Sequence, residues 1–440
     1  MCKITARIPN NNVEERKYII SVLFADFLHA EPPLIEVAET DCTSLLFDGK
    51  KIIFRDHFWN AHHEPLSYLS ADNLPHPTLC SNQFAPDNDI VVLFGDEELE
   101  ISEDTITCGI DIWASAFFML TRWEEYVCPA RDEHGRFPAK ASTALKHNFL
   151  HRPIVNEYVE MLRRMMEHLG NDLPTQSTNP QLIPTHDIDI LQANCRLKSF
   201  AGDLLKRHDL KMALSRFGET RDVYDTFDFL MDKSEEARTK SIFFFMASDH
   251  REGYSDNYLN TKKFAQTIEK IKKRGHDIGF HAGHGTADNP QRFAEELQLL
   301  KQHTGIDIKY SRQHFLKFDM PRTFNILEDN GITHDFTLGY SDCEGYRCGT
   351  GNSYQVFDFL NRKTLNVREV PLIIMDTTLR FAKNLSPSEA EKLIDSYSEK
   401  ARAFNTTNSL LFHNSSFDNY QWKGWKQLYS NIIDNIATQS

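Results

Sequence analysis

Residues that can bind a metal or move protons follow several apolar, strand-like runs in the second half of this 440-residue sequence. Asp187 and Asp189 come after the run at 182–185, and His413 follows the run at 409–412. Carboxylates combined with imidazoles are the ligands of a divalent metal site with an open coordination position. In such a site one aspartate holds the metal, its neighbour takes a proton from water, and a histidine protonates the leaving group.

Further side chains of the same kinds follow other strand-like runs of this region. They are His186 beside the aspartates, His281 and His284 after 277–280, Arg312 and His314 after 307–310, and Asp335 within 333–336. An arginine close to the base carboxylate would hold it ionised. A single His-x-x-His or Asp-x-Asp pair is more often structural than catalytic, so the prediction of metal-assisted hydrolysis depends on these residues converging.

The residues converge only if the runs form one barrel. Beyond residue 180, short apolar runs alternate with amphipathic helices, which predicts a parallel sheet with helices outside it. Seven runs are candidate strands: 182–185, 241–246, 277–280, 307–310, 333–336, 367–374 and 409–412. We therefore predict an α/β fold in which residues 176–440 form a distorted seven-stranded (β/α) barrel, with the site at the carboxyl ends of its strands.

Residues 1–175 predict a smaller α/β accessory domain in front of the barrel. An apolar helix is predicted at 111–126 and an amphipathic helix at 155–169. The polar stretch 171–180 contains two prolines and is interpreted as the linker. No catalytic set is found in this part, where a structural salt-bridge cluster is predicted to involve Arg122, Glu124 and Glu125.

The composition excludes several classes of protein. With 63 acidic and 49 basic residues the net charge is −14, which is the wrong sign for binding nucleic acid or anionic lipid surfaces. The eight cysteines include no CxxC pair, so they predict reduced thiols instead of a zinc knuckle or a redox motif. Neither a signal-peptide pattern nor 18 consecutive apolar residues occur, which predicts a cytoplasmic protein without a membrane span.

The barrel region resembles the polysaccharide deacetylase family (NodB homology, carbohydrate esterase 4-like) over residues 180–435. Four motifs carry the resemblance: Thr185-His-Asp187-Ile-Asp189, Gly275-His-Asp-Ile-Gly-Phe-His281, Arg312-Gln-His-Phe315 and Leu411-Phe-His413. Residues 1–175 are similar to the accessory domain of one subgroup through three stretches: 117–126, Gly135-Arg-Phe-Pro138 and Leu150-His-Arg-Pro-Ile-Val155.

The resemblance implies a deacetylase that binds a divalent metal, expected to be zinc. It removes an N- or O-linked acetyl group from a carbohydrate, here a surface-glycan precursor such as an acetylated amino sugar, a nucleotide sugar or a lipid-linked oligosaccharide. By position, the resemblance implies that Asp187 is the catalytic base, that Arg312 pairs with it, and that His413 is the general acid. It also implies that the Phe315 N–H donates to the oxyanion and that Asp189 and His281 are metal ligands.

One position departs from the family pattern. The second metal histidine of the family lies four residues after His281, where this sequence has Gly285. We expect His284, one residue earlier, to complete the ligand set with Asp189 and His281. The alternatives are His186, His314, or a site that binds metal weakly or not at all.

Other residues near the strand ends are secondary candidates. Asp335, His186 and His314 are predicted to contact substrate or to serve as alternative ligands. Asp376, after the run at 367–374, is predicted to lie away from the site. Trp422 and Trp425 are predicted to pack the last helix onto the barrel.

Two other functions are compatible with the sequence. One is a metal-independent barrel amidase acting on a non-peptide C–N bond, which the missing histidine at position 285 would permit. The other is a non-catalytic protein that binds glycan, or that organises a biosynthetic complex with a protein partner through its N-terminal domain. Both aspartates, Arg312 and His413 favour an enzyme, because a silent site needs neither a base nor an acid.

Overall fold

The strands form two large sheets and one two-stranded ribbon in the computed structural model. The structure describes residues 3–173, 182–192, 222–247, 258–417 and 419–437. Most of the predicted linker at 171–180 falls outside these ranges. Within the described residues, we find no helix whose length and apolar character would let it cross a membrane.

The first large sheet is built from the N-terminal part of the chain and has six strands in the order β2-β1-β3-β4-β8-β7. Its elements are β1 (Thr5–Pro9), α1 (Val13–Val22), β2 (Leu34–Ala38), β3 (Cys42–Phe47), β4 (Lys50–Arg55), β5 (Thr78–Ser81), β6 (Asp89–Val92), β7 (Gly95–Ile101), β8 (Thr105–Ile110), α2 (Ile112–Thr121), α3 (Trp123–Val127), α4 (Thr143–Lys146) and α5 (Ile154–His168). Strands β5 and β6 form the separate ribbon.

The predicted apolar helix at 111–126 is two helices, α2 and α3, that meet at Arg122. The side chain of Asp111 caps α2 by accepting a hydrogen bond of 3.0 Å from the backbone N–H of Ala114. Arg122 has a φ of 53°, a left-handed conformation that ends the first helix. Its buried guanidinium pairs with Glu124 and Glu125, which confirms the predicted salt-bridge cluster.

The second large sheet carries the strand-like runs of the barrel region and has nine strands, in the order β14-β15-β13-β12-β11-β10-β9-β17-β16. Its elements are β9 (Leu182–Ile188), α6 (Phe227–Glu236), β10 (Ile242–Met246), α7 (Lys262–Lys273), β11 (Asp277–Ala282), α8 (Pro290–Thr304), β12 (Tyr310–Gln313), α9 (Arg322–Asp329), β13 (His334–Asp335), β14 (Tyr354–Asp358), β15 (Lys363–Glu369), β16 (Leu372–Met375), α10 (Pro387–Ala403), β17 (Asn408–Leu411) and α11 (Trp425–Ala437).

The α/β prediction is confirmed, but the described sheet has nine strands and not seven, for two reasons. β14, an antiparallel strand beside β15, is not among the predicted strands. The run at 367–374, predicted as one strand, is divided at Val370 and Pro371 into β15 and β16. Proline has no backbone N–H to continue a strand ladder, so the pairing changes partners there.

This division curls the sheet. β15 pairs with β13 toward one end of the strand order, and β16 pairs with β17 at the other end. Only two residues separate β15 from β16, and such a short segment spans roughly 10 Å at most. β16, at one end of the sheet, therefore lies close to β15 and β13 near the other end, and the backbone N–H of Leu372 bonds to the carbonyl of Leu338, just after β13, at 3.2 Å.

The interior of the curled sheet contains an apolar cluster separate from the main core. It is formed by Ile242, Phe244, Phe336 and Val370, with Ile183 and Tyr310 packed against them. A side chain at Gly279 would have its Cβ 2.4 Å from the ring of Phe244, so only glycine leaves space for that ring. The guanidinium of Arg312 lies 4.6 Å above the ring of Phe244. A buried charged side chain therefore packs directly against the apolar cluster.

Capping residues define the starts of helices around this sheet. Asn289 caps α8, and Ser386 forms a capping box with Glu389 at the start of α10. Trp422 and Trp425 are buried, which confirms that they pack at the last helix instead of facing solvent.

The two large sheets share one continuous hydrophobic core and are joined by buried ion pairs. Arg347, from the loop after β13, binds Glu125 of α3 through two hydrogen bonds of 2.9 and 2.5 Å. Glu15 of α1 receives two bonds of 2.8 Å from Arg362. The N-terminal part is therefore attached to the second sheet by paired charges as well as by apolar contacts.

Glu125→Gln should destabilise the protein by about 3 kcal/mol, because Arg122 and Arg347 would keep their buried charges without a full set of partners. Glu98→Gln is the control: it removes the exposed pair with Arg55 and should cost below about 1 kcal/mol. Urea unfolding followed by tryptophan fluorescence measures both. Equal unfolding midpoints for the two variants would contradict the role of Glu125 as the buried partner of Arg122 and Arg347.

Candidate active site and metal centre

The alternation of side chains along β9 determines which residues enter the curled sheet. Asp187 and Asp189 are two positions apart and lie on the same face of the strand, whereas His186 lies on the opposite face. His186 Nδ1 donates to the carbonyl of Phe412 at 2.8 Å, and its Nε2 lies 3.1 Å from the hydroxyl of Ser241. His186 is thus a buried structural residue and not the predicted alternative ligand.

Asp189, His281 and His314 each offer one ligand atom, and these atoms lie within 4.8 Å of one another. His281 Nε2 is 3.2 Å from Asp189 Oδ1, and His314 Nε2 is 3.9 Å from the same oxygen. His281 Nδ1 lies 3.0 Å from the backbone carbonyl of Arg312. A carbonyl only accepts, so Nδ1 carries the proton and Nε2 is left to bind a metal.

This donor set fits a divalent cation such as zinc. One carboxylate oxygen and two imidazole nitrogens are ligands that zinc prefers, and three protein ligands leave a position open for substrate or water. No other group of three such side chains occurs in the part of the chain that the structure describes.

The pKa values of the three residues reflect their burial and their mutual contacts. Burial alone would raise the pKa of Asp189, but the hydrogen bond from His281 and the nearby His314 lower it below its ordinary value. Burial lowers the pKa of His314 to about 4, so its imidazole is neutral at pH 7 and able to bind a metal. Burial opposes a charge on His281, yet Asp187 and Asp189 raise its pKa. A proton and a metal compete for that nitrogen, so metal affinity falls as pH falls.

Asp187 is a buried carboxylate held beside this group by Arg312. Its Oδ1 accepts a bond of 2.9 Å from Arg312 Nη1, and its Oδ2 lies 3.6 Å from His281 Nε2. Burial would raise the pKa of Asp187, but Arg312 and His281 hold it below its ordinary value. Arg312 also donates from Nε to the carbonyl of Phe336 at 2.9 Å, so two hydrogen bonds fix the orientation of its guanidinium group. Asp187 is therefore ionised and able to accept a proton.

His413 approaches the same group from β17 and is held by Asp376. Its Nδ1 lies 2.9 Å from Asp376 Oδ1, and its backbone N–H donates to Asp376 Oδ2 at 2.7 Å. Its Nε2 lies 3.9 Å from Asp189 Oδ2. Burial opposes the imidazolium, but Asp376 and the two site aspartates raise the pKa of His413 to about 10. His413 thus carries a proton at neutral pH.

The prediction that Asp376 lies away from the site is wrong. The side chain of Asp376 is fully buried and binds both the ring and the backbone of His413. The sequence signal was its position just after a strand, the same signal that identified the other site residues.

The structure places His284 outside the group of three donors. Its Nε2 lies 3.0 Å from the backbone carbonyl of His134, in the N-terminal part of the chain. His281 and His314 meet because β11 and β12 are parallel neighbours whose ends lie at the same edge. His284 lies beyond the end of β11 and reaches the N-terminal part instead, so His314, one of the alternatives, takes the position expected of His284.

Asp335 lies below the site and faces other partners. Its oxygens accept bonds from the hydroxyl and the backbone N–H of Thr337, at 2.8 and 3.1 Å. Burial raises the pKa of Asp335 to about 6, and burial together with Asp335 raises the pKa of Glu369 well above its ordinary value. Asp335 and Glu369 face each other on neighbouring strands, and the raised pKa keeps Glu369 protonated beside Asp335. Asp335 is therefore a structural residue instead of the predicted substrate contact. Nothing in the sequence around Glu369 signals this pairing.

Phe315 follows His314 in a left-handed conformation, with a φ of 62°. Its carbonyl accepts a bond of 3.2 Å from Arg136 Nη1, and its ring stacks on that of His134 with 4.6 Å between centroids. Neither His134 nor Arg136 was predicted to be a site residue. The signal was present in the stretch 135–138, which belongs to the N-terminal resemblance.

Comparison with known proteins gives one family match. The model for a family of unknown function (DUF7033) matches residues 4–171. No curated protein matches the chain.

Solved structures similar to this chain include a putative polysaccharide deacetylase from Mycobacterium smegmatis, with 16% identity, coverage of 60% of this chain and 87% of that chain, and a TM-score of 0.40. A probable polysaccharide deacetylase from Pseudomonas aeruginosa PAO1 has 12% identity, coverage of 62% and 96%, and a TM-score of 0.38. A CE4 family pseudoenzyme from Bacillus anthracis has 8% identity, coverage of 61% and 67%, and a TM-score of 0.31. At these values the likeness assigns neither an activity nor a substrate to this chain.

His314→Ala should weaken zinc binding by at least about 100-fold, because it removes one of three ligands. His284→Ala is the matched control and should retain zinc, because its ring contacts a backbone carbonyl of the N-terminal part. Elemental analysis after dialysis against a zinc-buffered solution measures both variants. Loss of zinc in His284→Ala with retention in His314→Ala would restore the ligand set expected from the sequence.

Proposed function

We propose that this protein is a metal-dependent hydrolase that removes an acetyl group from a carbohydrate. The observation that carries the proposal is that a proton acceptor and a proton donor both lie next to the donor set of Asp189, His281 and His314. Asp187 is ionised and lies 3.6 Å from His281 Nε2, whereas His413 is protonated and lies 3.9 Å from Asp189 Oδ2. A hydrolase of amides or esters needs a base for water and an acid for the leaving group, at the same time and at the same centre.

Each residue contributes a separate part of the reaction. Asp187 accepts the proton of the attacking water while Arg312 keeps the carboxylate ionised and oriented. His413 gives its Nε2 proton to the departing amine or alcohol, and Asp376 fixes the ring from the other nitrogen. The Phe315 N–H would donate to the oxyanion that develops on the acetyl group.

The metal would be held by Asp189, His281 and His314, and zinc is the cation that this donor set favours. When bound, it would polarise the acetyl carbonyl and lower the pKa of water. The substrate class follows from the motif resemblance: an acetylated amino sugar, as a free or nucleotide-linked unit or as part of a lipid-linked glycan precursor.

A metal-independent amidase is the second candidate, and it makes a different prediction about the donor set. Such an enzyme would keep its activity after chelation, since Asp187 and His413 alone would transfer the protons. The close grouping of one carboxylate and two imidazoles favours the metal-dependent reaction, because an amidase without metal has no need of three such donors within 4.8 Å.

Asp187→Asn should lower the rate of acetate release from acetylated amino sugars by at least about 1,000-fold while zinc remains bound, because the variant removes the base and leaves all three ligands. Asp277→Asn is the control: Asp277 begins β11 at the opposite end of the strand from His281 and should leave turnover unchanged. Coupled acetate assays and zinc analysis measure both variants.

Loss of zinc in Asp187→Asn would show that the roles of the two aspartates are reversed. Full turnover by wild-type protein after chelation would favour the metal-independent amidase. Absence of acetate release from a broad panel of acetylated sugars by zinc-loaded wild type would contradict the proposed function.

A further inference from the structure

We propose that a turn of the N-terminal part, residues 132–136, is a positioning element of the active site. In this turn Arg136 and His134 hold Phe315 in the conformation that directs its backbone N–H. The proposal rests on the proposed function, in which that N–H donates to the oxyanion. It gives the N-terminal part a place in the reaction although it contributes none of the three metal donors.

The turn is internally rigid. One oxygen of the Asp132 carboxylate accepts bonds of 2.9 Å from the backbone N–H groups of His134 and Arg136, and the other accepts a bond of 2.7 Å from Arg136 Nε. Gly135 has a φ of 75°, and its N–H bonds to the carbonyl of Asp132 at 3.0 Å. The guanidinium of Arg136 is thereby fixed on one edge, and its Nη1 is directed away from the turn.

Three contacts attach this rigid turn to the strand ends that carry the donor set. Arg136 Nη1 donates to the carbonyl of Phe315 at 3.2 Å. The rings of His134 and Phe315 stack with an interplanar angle of 16°. His284 donates from Nε2 to the carbonyl of His134 at 3.0 Å. The turn therefore holds both the backbone and the side chain of Phe315.

Phe315 needs an external support because its backbone conformation is unfavourable. Phe315 and Leu316 both have positive φ, at 62° and 57°. For residues with a side chain this left-handed conformation is strained, because the Cβ comes too close to the backbone carbonyl oxygen. Arg136 holds the carbonyl of Phe315 and His134 holds its ring. Without these contacts Phe315 would relax its φ, and that rotation changes the orientation of the preceding peptide, which carries the Phe315 N–H.

The supported residue lies directly beside the metal donors. The ring of Phe315 is 4.3 Å from that of His314, and the ring of His314 is 5.0 Å from that of His281. The Phe315 N–H belongs to the peptide that joins it to His314. A small rotation of that peptide would turn the Phe315 N–H away from the oxyanion. The hydrogen bond would weaken, because its strength depends on the direction of the N–H.

Arg136→Met tests the proposal, with Arg164→Met as a matched control. Arg164 has the same bonding pattern away from the site: Nε to Glu160, four residues earlier, and Nη1 to the carbonyl of Ala85. We expect Arg136→Met to lower kcat about 10-fold with little change in KM or zinc content. Hydrogen exchange of the backbone amides at 314–317 should become faster in Arg136→Met and stay unchanged in Arg164→Met.

The outcomes separate this proposal from the proposed function. Equal losses of kcat in the two variants, or an unchanged exchange rate at 314–317 in Arg136→Met, would overturn the positioning role. Loss of zinc together with kcat would also overturn it, because the turn would then support the metal ligands instead. If zinc-loaded wild type releases no acetate, the proposed function fails, and the exchange measurement still decides whether the turn holds Phe315.

Discussion

The ion pair between Arg312 and Asp187 is the interaction on which the rest of the structure depends. β12 and β9 are separated by two strands in the sheet, so in a flat sheet they would lie about 14 Å apart. Their side chains nevertheless meet at 2.9 Å, because the sheet is curled. Arg312 is fully buried, and a buried charge requires a partner. The same residue keeps the proposed base ionised and, through its backbone carbonyl, sets the tautomer of His281.

The site lies in a polar layer between two supports of different kinds. Below it, Phe244 and the other apolar residues of the interior fill the curled sheet, and Asp335 pairs across the strands with Glu369, whose pKa is raised by burial. Beside the strand ends, the turn at 132–136 of the N-terminal part holds Phe315. The proposed metal ligands therefore come from the second sheet alone, whereas the support for the proposed oxyanion donor comes from a segment about 180 residues earlier in the chain.

Properties that depend on strand periodicity and order could be predicted from the sequence, and properties that depend on distant contacts could not. The spacing of Asp187 and Asp189 places both on one face of β9, so their convergence with His281 and Arg312 followed from the order of the strands. His284 was expected to bind metal, but its partner is a carbonyl 150 residues away, which no local pattern shows. Likewise the strand count differed because Pro371 divides one long run into two strands and because the antiparallel strand β14 was not predicted.

The most direct test of this account is an anomalous diffraction measurement, at the zinc absorption edge, on crystals grown with zinc. The account predicts one strong anomalous peak bounded by Asp189, His281 and His314, with Asp187 and His413 next to this group and His284 still bonded to the carbonyl of His134. A peak coordinated by His284 in place of His314, or no peak at this group when zinc occupies sites elsewhere, would contradict it.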